Sequence, residues 1–452
     1  MRQTRHGRPA IPKLLVTVSL LCLPWSAFGQ NACNAQVTGS DEGARINLAI
    51  TACPKGCTVR VPAGTYSVTT PITVCNPSIR LVGDGQGNTT LVQTFRSATD
   101  DLILVRADGF DLSGVTLMNG NPKATGGNLV HLLEANHARI HESFFTDPRP
   151  QGTVPAPGGI GVIVNGVRIE GTRSRPASYN QIIDNSFTVP TIAVTLSTNA
   201  NSNNIQANQF IDSFTAFDFN GDDADSSGNS FSNNVVSGGS GGNFLQSVTG
   251  SVITGNQFIA NGTPGGYTLY MTLARGLRQA DTVITNNTFL RSPGGAVSIT
   301  NNSRDVIIAN NLFADNGTDG IYVANPAGAV TQLDIHSNIF RNNGSRDGAA
   351  GYAAIRVETA RGVPVGNWII SNNTAYDDQP NQRQSYGLLI YGGGSAFGLT
   401  ILGNDFARNR SGAFGFKVPI TASSIGPNRE SSTGGWVYRN PAGAVRPRPT
   451  ID

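Results

Sequence analysis

The residues best suited to chemistry are aromatic and charged side chains scattered over the C-terminal half of the chain. They are Asp218, Tyr270, Tyr322, Arg356, Glu358, Tyr391 and Lys417. On an acidic sugar, Arg356 or Lys417 would neutralise a uronate carboxylate, and Tyr391 or Lys417 would exchange the C5 proton. Asp218, Tyr270 and Tyr322 would bind the sugar chain. The alternative is a solvated face carrying an ordinary Arg–Glu ion pair.

These residues can meet only if the chain repeats, and a repeated phrase is present between residues 180 and 406. It reads IIDNSF, IQANQF, ITGNQF, ITNNTF, IIANNLF, IHSNIF and ILGNDF, with looser copies FSNNVV and IISNNTA. The last Asn of each copy forms a series with a mean step of about 27 residues, a period typical of solenoids. Its members are Asn185, Asn208, Asn234, Asn256, Asn287, Asn311, Asn338, Asn373 and Asn404.

The content of each repeat indicates strands, because apolar and small polar residues alternate over four or five positions. We therefore predict a single-stranded parallel β-helix, an all-β fold whose coils stack about 4.8 Å apart. The Asn would adopt the left-handed conformation at a bend and pair its amide with the Asn above and below. The Ile three residues before it and the Phe two after it would point inward. A disordered Asn-rich tract is the alternative.

A second apolar run in each repeat predicts the arrangement of the candidate residues. Alternation about the inward pairs Ile321/Val323 and Ile355/Val357 turns Tyr322 and Arg356 outward. The same alignment places Tyr322, then Arg356 with Glu358, then Tyr391, then Lys417 on successive coils. A glycosidase would use Glu358 with a second carboxylate, which this strip lacks.

The N-terminal part predicts export and a capped end. Residues 1–29 combine a basic start, an apolar run and the sequence Ala27-Phe28-Gly29, which is typical of a secretion signal. Four cysteines follow the signal and predict two disulfides of open connectivity: Cys33, Cys53, Cys57 and Cys75. A short helix starting near Ser40-Asp41-Glu42, with an apolar stripe on one side, would cover the open end of the β-helix.

Composition and charge argue against nucleic acid as a partner. The whole chain carries a net charge of +3, but the proposed signal holds four basic residues and no acidic ones. Without the signal, the chain therefore has no excess of positive charge. Only 13% of residues are charged, so the surface must be rich in Asn, Ser, Thr and Gly. Such a surface suits neutral hydrogen-bonding partners, above all polysaccharides. We expect a secreted monomer, extracellular or periplasmic, with no membrane span.

One acidic cluster suggests a cofactor. Asp223 and Asp225, with Ser227 and Gly228, match the opening of a calcium-binding loop. However, the twelfth position of that loop is Asn234, where a bidentate Glu is needed. The sequence therefore predicts either no cofactor or weakly bound calcium.

The start of the mature chain resembles a known superfamily. The helix, the segment Val61-Pro62-Ala63-Gly64-Thr65-Tyr66 and the later Ile79-Arg80-Leu81-Val82-Gly83-Asp84-Gly85 resemble the entry of pectate-lyase-like proteins. That resemblance implies a right-handed parallel β-helix, and it is specific for fold rather than activity. The polygalacturonase motifs N-T-D, G-H-G and R-I-K are absent.

These observations predict four segments and a preferred function. The segments are a signal at 1–29, a disulfide-rich cap at 30–57, a parallel β-helix at 58–425 and a tail at 426–452. An enzyme of the lyase or epimerase type, acting on a uronate-containing polysaccharide, is favoured over a hydrolase. The competing hypothesis is a non-catalytic carbohydrate-binding surface protein or adhesin.

Overall fold

The computed structural model describes most of the chain after residue 40. The described residues are 41–95, 100–120, 127–149, 159–167, 175–221, 226–272, 279–326, 328–345, 351–363 and 365–429, with the strand Val437–Tyr438. The proposed signal, Cys33 and most of the proposed tail lie outside these ranges, as do Asp223 and Asp225.

The described chain winds through three long parallel sheets in turn, although the last coils contribute no strand to sheet two. Sheet one consists of Cys57–Val61, Ile79–Gly83, Asp111–Ser113, Arg139–His141, Gln181–Ile183, Asn204–Gln206, Ser230–Ser232, Val252–Thr254, Gln279–Thr285, Ser303–Ala309, Thr331–His336, Val365–Gly366, Ile369–Ser371, Ala396–Phe397, Thr400–Leu402, Ile420–Thr421 and Ser424–Ile425. Sheet two consists of Gly64–Val68, Thr89–Gln93, Thr116–Asn119, Phe144–Thr146, Ser186–Thr188, Gln209–Ile211, Val235–Ser237, Gln257–Ile259, Thr288–Leu290, Leu312–Ala314, Ile339–Arg341 and Thr374–Tyr376.

Sheet three continues each coil and carries the candidate residues. It consists of Ile72–Val74, Ile103–Val105, Val130–Leu133, Val162–Asn165, Ile192–Ser197, Thr215–Asn220, Asn243–Gln246, Tyr267–Thr272, Gly295–Thr300, Ile321–Ala324, Ala353–Thr359, Tyr386–Gly392, Gly412–Phe416 and Val437–Tyr438. One additional pair of short parallel strands, Ala177–Ser178 and Ala200–Asn201, joins two neighbouring coils. The predicted parallel β-helix is confirmed.

The predicted helix is present at Glu42–Thr51 and closes the first coil. Its buried stripe includes Ile46, Ala49 and Ile50, as the spacing predicts. The Asn47 side chain donates to the Pro71 carbonyl and accepts from the Thr73 backbone N–H, each at 2.8 Å. The helix therefore satisfies backbone groups at the open edge of sheet three, which would otherwise be left unpaired.

The Asn series forms a continuous ladder at the bend from sheet one into sheet two. Asn256 illustrates its hydrogen bonds: Nδ2 donates to Asn287 Oδ1 at 2.9 Å, while Oδ1 accepts from Asn234 Nδ2 at 3.1 Å. The same amide also donates to the Phe231 carbonyl at 2.8 Å. The ladder extends one coil beyond the predicted series, because Asn404 Nδ2 donates to Asn428 Oδ1 at 2.9 Å. Each buried amide is thus paired with its neighbours in the adjacent coils.

One detail of that prediction is wrong. The left-handed residue at the bend is not the ladder Asn but the residue immediately before it, such as Asp184 with φ 55° or Asn310 with φ 58°. The ladder Asn is buried, where its amide can reach both neighbouring coils. The exposed residue before it turns the chain, so bending and pairing are divided between two positions.

The interior is built from the predicted files of Ile and Phe. Phe258, Phe289, Phe313 and Phe340 stack with ring centroids 4.8–5.1 Å apart. Each such aromatic pair contributes about 0.5–1.5 kcal/mol beyond the burial of its area. Successive coils are therefore held in vertical register, which fixes the side chains on the outer faces as well.

The three N-terminal cysteines among the described residues all form disulfides. Cys53 and Cys57 form a disulfide that joins the end of the helix to the first strand of sheet one. Cys75 is also disulfide-bonded, and Cys33 lies outside the described residues.

Candidate functional site

Sheet three brings the predicted strip together on its outer face. The inward positions Ile321, Val323, Ile355 and Val357 are fully buried, so the residues between them face outward. Pairing of neighbouring strands sets Tyr322 beside Arg356 and Glu358 beside Tyr391. The pairing of Ile390 with Phe416 then puts Lys417, the next residue, alongside Tyr391.

Glu358 is the carboxylate at the centre of this strip. Its Oε2 accepts hydrogen bonds from the hydroxyls of Tyr322 at 2.5 Å and Tyr391 at 2.8 Å. The Tyr322 bond is the main cause that lowers the pKa of Glu358, with smaller contributions from Tyr391 and Arg356 opposing the effect of burial. Glu358 is exposed and ionised at neutral pH, so it can accept a proton there.

The two tyrosines are shifted in the opposite direction. Burial, the charge of Glu358 and its hydrogen bond raise the pKa of Tyr391 to about 12, against the opposing influence of Arg356. Burial and Glu358 also raise the pKa of Tyr322. Both hydroxyls therefore remain protonated at neutral pH and donate to the carboxylate.

Arg356 is held from two sides. Its Nε lies 2.9 Å from Asp319 Oδ2, and its Cζ lies 4.6 Å from the Tyr322 ring centroid. The Tyr352 and Tyr391 ring centroids lie 5.6 and 5.9 Å from the same carbon. Burial alone would lower the pKa of Arg356, but Asp319, Tyr267 and Tyr391 together outweigh it and raise that pKa. Arg356 is thus a fixed, partly covered cation, with its side chain 15% exposed.

Asp319 supports this arrangement from inside. It is fully buried, and its Oδ1 accepts from the Ala353 backbone N–H at 2.9 Å. Its Oδ2 accepts from the Tyr267 hydroxyl at 3.3 Å. Burial raises the pKa of Asp319 to about 6, although Arg356 acts in the other direction. The carboxylate therefore positions Arg356 rather than meeting a ligand.

Tyr267 reaches Asp319 because the coil between them carries a glycine. A Cβ on Gly295 would lie 2.2 Å from Tyr267 Cε1, so no larger residue fits beneath the ring. The Tyr267 ring stacks on Tyr322 with centroids 5.6 Å apart. Sequence alternation misses Tyr267 and Asp319, because it considers outward positions within each strand and not the residues at its N-terminal end.

The predicted sugar-binding residues are spread more widely than the sequence suggested. The alignment omits the strand Asn243–Gln246, whose Phe244 lies between Asp218 and Tyr270. Phe244 and Tyr270 stack at 5.2 Å, which extends the aromatic surface. Asp218 is buried and accepts from Gln246 Nε2 at 2.9 Å, so it is not an open ligand for sugar.

Lys417 occupies the C-terminal end of the strip. It is exposed, and its Nζ lies 5.9 Å from the Tyr386 ring centroid. An ammonium over an aromatic face is a weak contact, so the amine can move to meet an anionic group.

A second polar group, not foreseen as a site, lies on the same face nearer the N-terminus. His131 Nδ1 lies 2.6 Å from Asp101 Oδ2, and His131 Nε2 lies 2.5 Å from Asn165 Oδ1. The carboxylate orients the imidazole in the manner of a general base. Because Asn165 covers the other ring nitrogen, a ligand would have to displace it first.

The described residues give no support to a metal site. No cluster of three or more His, Cys, Asp or Glu side chains able to hold a metal ion occurs among them. The proposed calcium ligands Asp223 and Asp225 lie outside those residues, so that prediction is untested.

Comparisons with known proteins agree with this architecture. Residues 224–406 match the family model described as the right handed beta helix region. The chain is a right-handed parallel β-helix protein with a pectate-lyase-like fold, as the sequence resemblance implied. A comparison with curated protein sequences finds no match.

Solved structures with the same fold include a catalytic domain, a glucanase and a polysaccharide lyase. The catalytic domain of Agl-KA shares 14% identity, covers 83% of this chain and 70% of its own, and has a TM-score of 0.56. A thermostable GH87 α-1,3-glucanase from Streptomyces thermodiastaticus shares 14% identity over 90% of this chain and 71% of its own, also at 0.56. A mannuronic acid specific family 6 lyase from human gut microbiota shares 14% identity over 75% and 85%, at 0.53. At these identities the likeness shows the fold.

In the part of the chain that the structure describes, no helix has the length and apolar character needed to cross a membrane.

Proposed function

We propose that this protein acts on a uronate-containing polysaccharide along the outer face of sheet three, by proton abstraction of the lyase or epimerase type. The carboxylate of Glu358, held between two tyrosine hydroxyls beside a fixed arginine, is the observation that carries the proposal. The similar folds of a mannuronic acid specific polysaccharide lyase and an α-1,3-glucanase support polysaccharide as the substrate class.

The Tyr391–Glu358 pair can move the C5 proton. With a pKa of about 12, the Tyr391 hydroxyl is too rarely ionised at neutral pH to act alone. As its oxygen takes the C5 proton, its own proton passes to Glu358 along the 2.8 Å hydrogen bond. The C5–H bond breaks, the electron pair stays on the sugar, and no free phenolate forms.

The electron pair then has two outcomes. In a lyase it forms the C4–C5 double bond as the bond from C4 to its glycosidic oxygen breaks, and the stored proton returns to that oxygen. In an epimerase C5 takes a proton that comes from solvent on the opposite face, and Glu358 releases its stored proton to solvent. Both reactions place negative charge on the uronate carboxylate, which must be stabilised by a cation.

Lys417 is better placed for that stabilisation than Arg356. Arg356 is already paired with Asp319 and partly covered by aromatic rings, whereas Lys417 is exposed and lies beside Tyr391. We therefore assign Lys417 to the substrate carboxylate and Arg356 to fixing Glu358 and the tyrosine rings. Tyr270 remains the proposed aromatic contact for the sugar, whereas the hydroxyl and ring of Tyr322 are already engaged by Glu358, Tyr267 and Arg356.

Hydrolysis fits the strip less well. It needs two carboxyl groups on either side of the scissile bond. Among the described carboxylates beside the strip from Asp218 to Lys417, Asp218 and Asp319 are buried and Glu358 is exposed.

A non-catalytic binding protein is the second candidate. The specific observation in its favour is that Asp319 already neutralises Arg356, so the centre of the strip offers rigid aromatic surface around a paired cation. Such a surface would bind a sugar chain without converting it to a product.

The test is incubation of the mature protein with pectate, alginate and glycosaminoglycans in D₂O, with and without calcium. We expect unsaturated uronate absorbance for a lyase, because C5 then belongs to the C4–C5 double bond and carries no hydrogen, or inverted C5 carrying deuterium for an epimerase. Glu358→Gln and Tyr391→Phe should abolish whichever of these signals the native protein gives, whereas Tyr376→Phe on sheet two is the matched control. Binding with neither signal on every substrate would instead support the non-catalytic alternative.

A further inference from the structure

A cleft of ≈ 480 Å³ opens at the turns that lead from sheet three into sheet one, in coils that precede the Glu358 strip. Its lining includes Asp108, Asn136, His137, Tyr179 and Asn199. A second hollow of ≈ 410 Å³ shares Asp108, Asn136 and Pro176 with it, so the two form one surface. These volumes are in the range of small-molecule sites, and the function proposed above uses none of the lining residues.

Two aromatic residues occupy an unusual backbone position in this cleft. His137 and Tyr179 have φ values of 57° and 60°, the left-handed region that bulky residues rarely adopt. Their backbone N–H groups bond in the same way to the next coil, at Ser178 and Asn201 respectively. The equivalent residues in the flanking coils are Gly109 and Ser202, which fit such a turn with less crowding. Aromatic side chains at this strained position suggest a function.

The two rings form a platform with one open face. Their centroids lie 5.3 Å apart and their planes are 8° from parallel. His137 covers one face of Tyr179, and the equivalent residue in the next coil is the small Ser202. Tyr179 is 58% exposed, which agrees with an uncovered second face. A flat ring of C–H groups, such as a sugar presents, would stack on it.

Asn199 supplies an unused hydrogen-bond donor beside the platform. This residue is 9% exposed, and its Nδ2 has no hydrogen-bond partner among the residues that the structure describes. Its Oδ1 is occupied, because it accepts from Asn201 Nδ2 at 2.9 Å. A buried donor without a partner is costly unless a ligand oxygen meets it.

Asp108 is the acidic side chain that both hollows share, whereas Arg106 and Arg175, the latter paired with Glu134, line the second hollow alone. The Oδ1 of Asp108 accepts from the Asn136 backbone N–H at 2.9 Å and from Asn136 Nδ2 at 3.0 Å, which fixes the carboxylate at the wall of the cleft. A fixed carboxylate accepts hydrogen bonds from sugar hydroxyls and repels a second carboxylate. We propose that this cleft is a binding subsite for an uncharged pyranose unit, separate from the Glu358 strip.

The experiment measures binding of cellohexaose, maltohexaose, laminarihexaose and mannohexaose to the full chain by isothermal titration calorimetry. Tyr179→Ser removes the platform and leaves a residue suited to the turn. Asn199→Asp keeps the acceptor used by Asn201 but replaces the free donor by an acceptor. Gln332→Ser alters an exposed left-handed residue near the start of the later sheet-one strand Thr331–His336 and is the matched control.

We expect at least one of these hexasaccharides to bind. Affinity should fall at least tenfold in both Tyr179→Ser and Asn199→Asp, remain unchanged in Gln332→Ser, and show no accompanying change in melting temperature. If Tyr179→Ser fails to fold, Asn199→Asp decides the question alone. Unchanged affinity in the cleft variants, or failure of the native protein to bind any of the four sugars, would overturn the proposal.

Discussion

Replacement of Asp319 by Asn should change how stability depends on pH. The carboxyl is fully buried, and its pKa is raised from 3.8 to about 6. The folded state therefore holds this proton more tightly than the unfolded state. Stability from this proton is complete below about pH 4 and is lost as the pH rises through 6.

The size of the effect follows from the shift. About two pH units at about 1.36 kcal/mol each correspond to about 3 kcal/mol. Between about pH 4 and pH 7, the native protein should lose this amount of unfolding free energy relative to Asp319→Asn. Loss of the Arg356 pairing in the variant is a separate, nearly constant offset, because guanidinium does not titrate in this range.

The assay is chemical unfolding of both proteins, followed by circular dichroism, across that pH range. Asp315→Asn is the matched control, because Asp315 forms a half-exposed pair with Arg341 and should show no comparable trend. A difference between native protein and Asp319→Asn that is flat with pH would refute the reasoning, since burial would then not dominate this carboxyl. A difference of the opposite sign would show that Arg356 outweighs burial.

Three further predictions concern the site and the core. Tyr322→Phe removes the main hydrogen bond that lowers the pKa of Glu358. The acid limb of the pH–activity profile should therefore move up towards pH 4.5. An unmoved limb would show that Glu358 is not the titrating group. Asn256→Ala leaves buried amide groups of the ladder unpaired, so it should lower the free energy of unfolding by about 3 kcal/mol. The control Gln257→Ala changes the exposed neighbour and should lower it by no more than about 0.5 kcal/mol. Equal losses in the two variants would contradict the ladder's role. Phe289→Ala opens a cavity in the aromatic stack and should lower the free energy of unfolding by about 3–5 kcal/mol. A loss below about 1 kcal/mol would mean that the coils repack around the cavity.

Much of the fold could be predicted because its contacts repeat. The spacing of Ile, Asn and Phe in each repeat is enough to predict the Ile308, Asn311 and Phe313 files, since each residue meets its own counterpart in the next coil. The left-handed position was misplaced by one residue, because Asn is common there and frequently precedes the ladder Asn, as at Asn310.

The site was only partly predictable because its decisive contacts do not repeat. Alternation along sheet three suffices to place Arg356 beside Tyr322 and Glu358 beside Tyr391. The contact between Tyr267 and Asp319 skips a whole coil and depends on the glycine between them. No periodic pattern signals such a contact, because each of its members occurs once.

The Asn ladder also makes the distance between the two proposed sugar sites adjustable. An extra coil inserted between Asn234 and Asn256 would find an identical amide on either side, so the existing bonding scheme would simply continue. The cleft at Tyr179 and the Glu358 strip would move apart by about 4.8 Å, with neither altered internally. Coils can thus be added or removed without changing either site, so relatives with different numbers of coils would hold the two sites at different separations along a glycan.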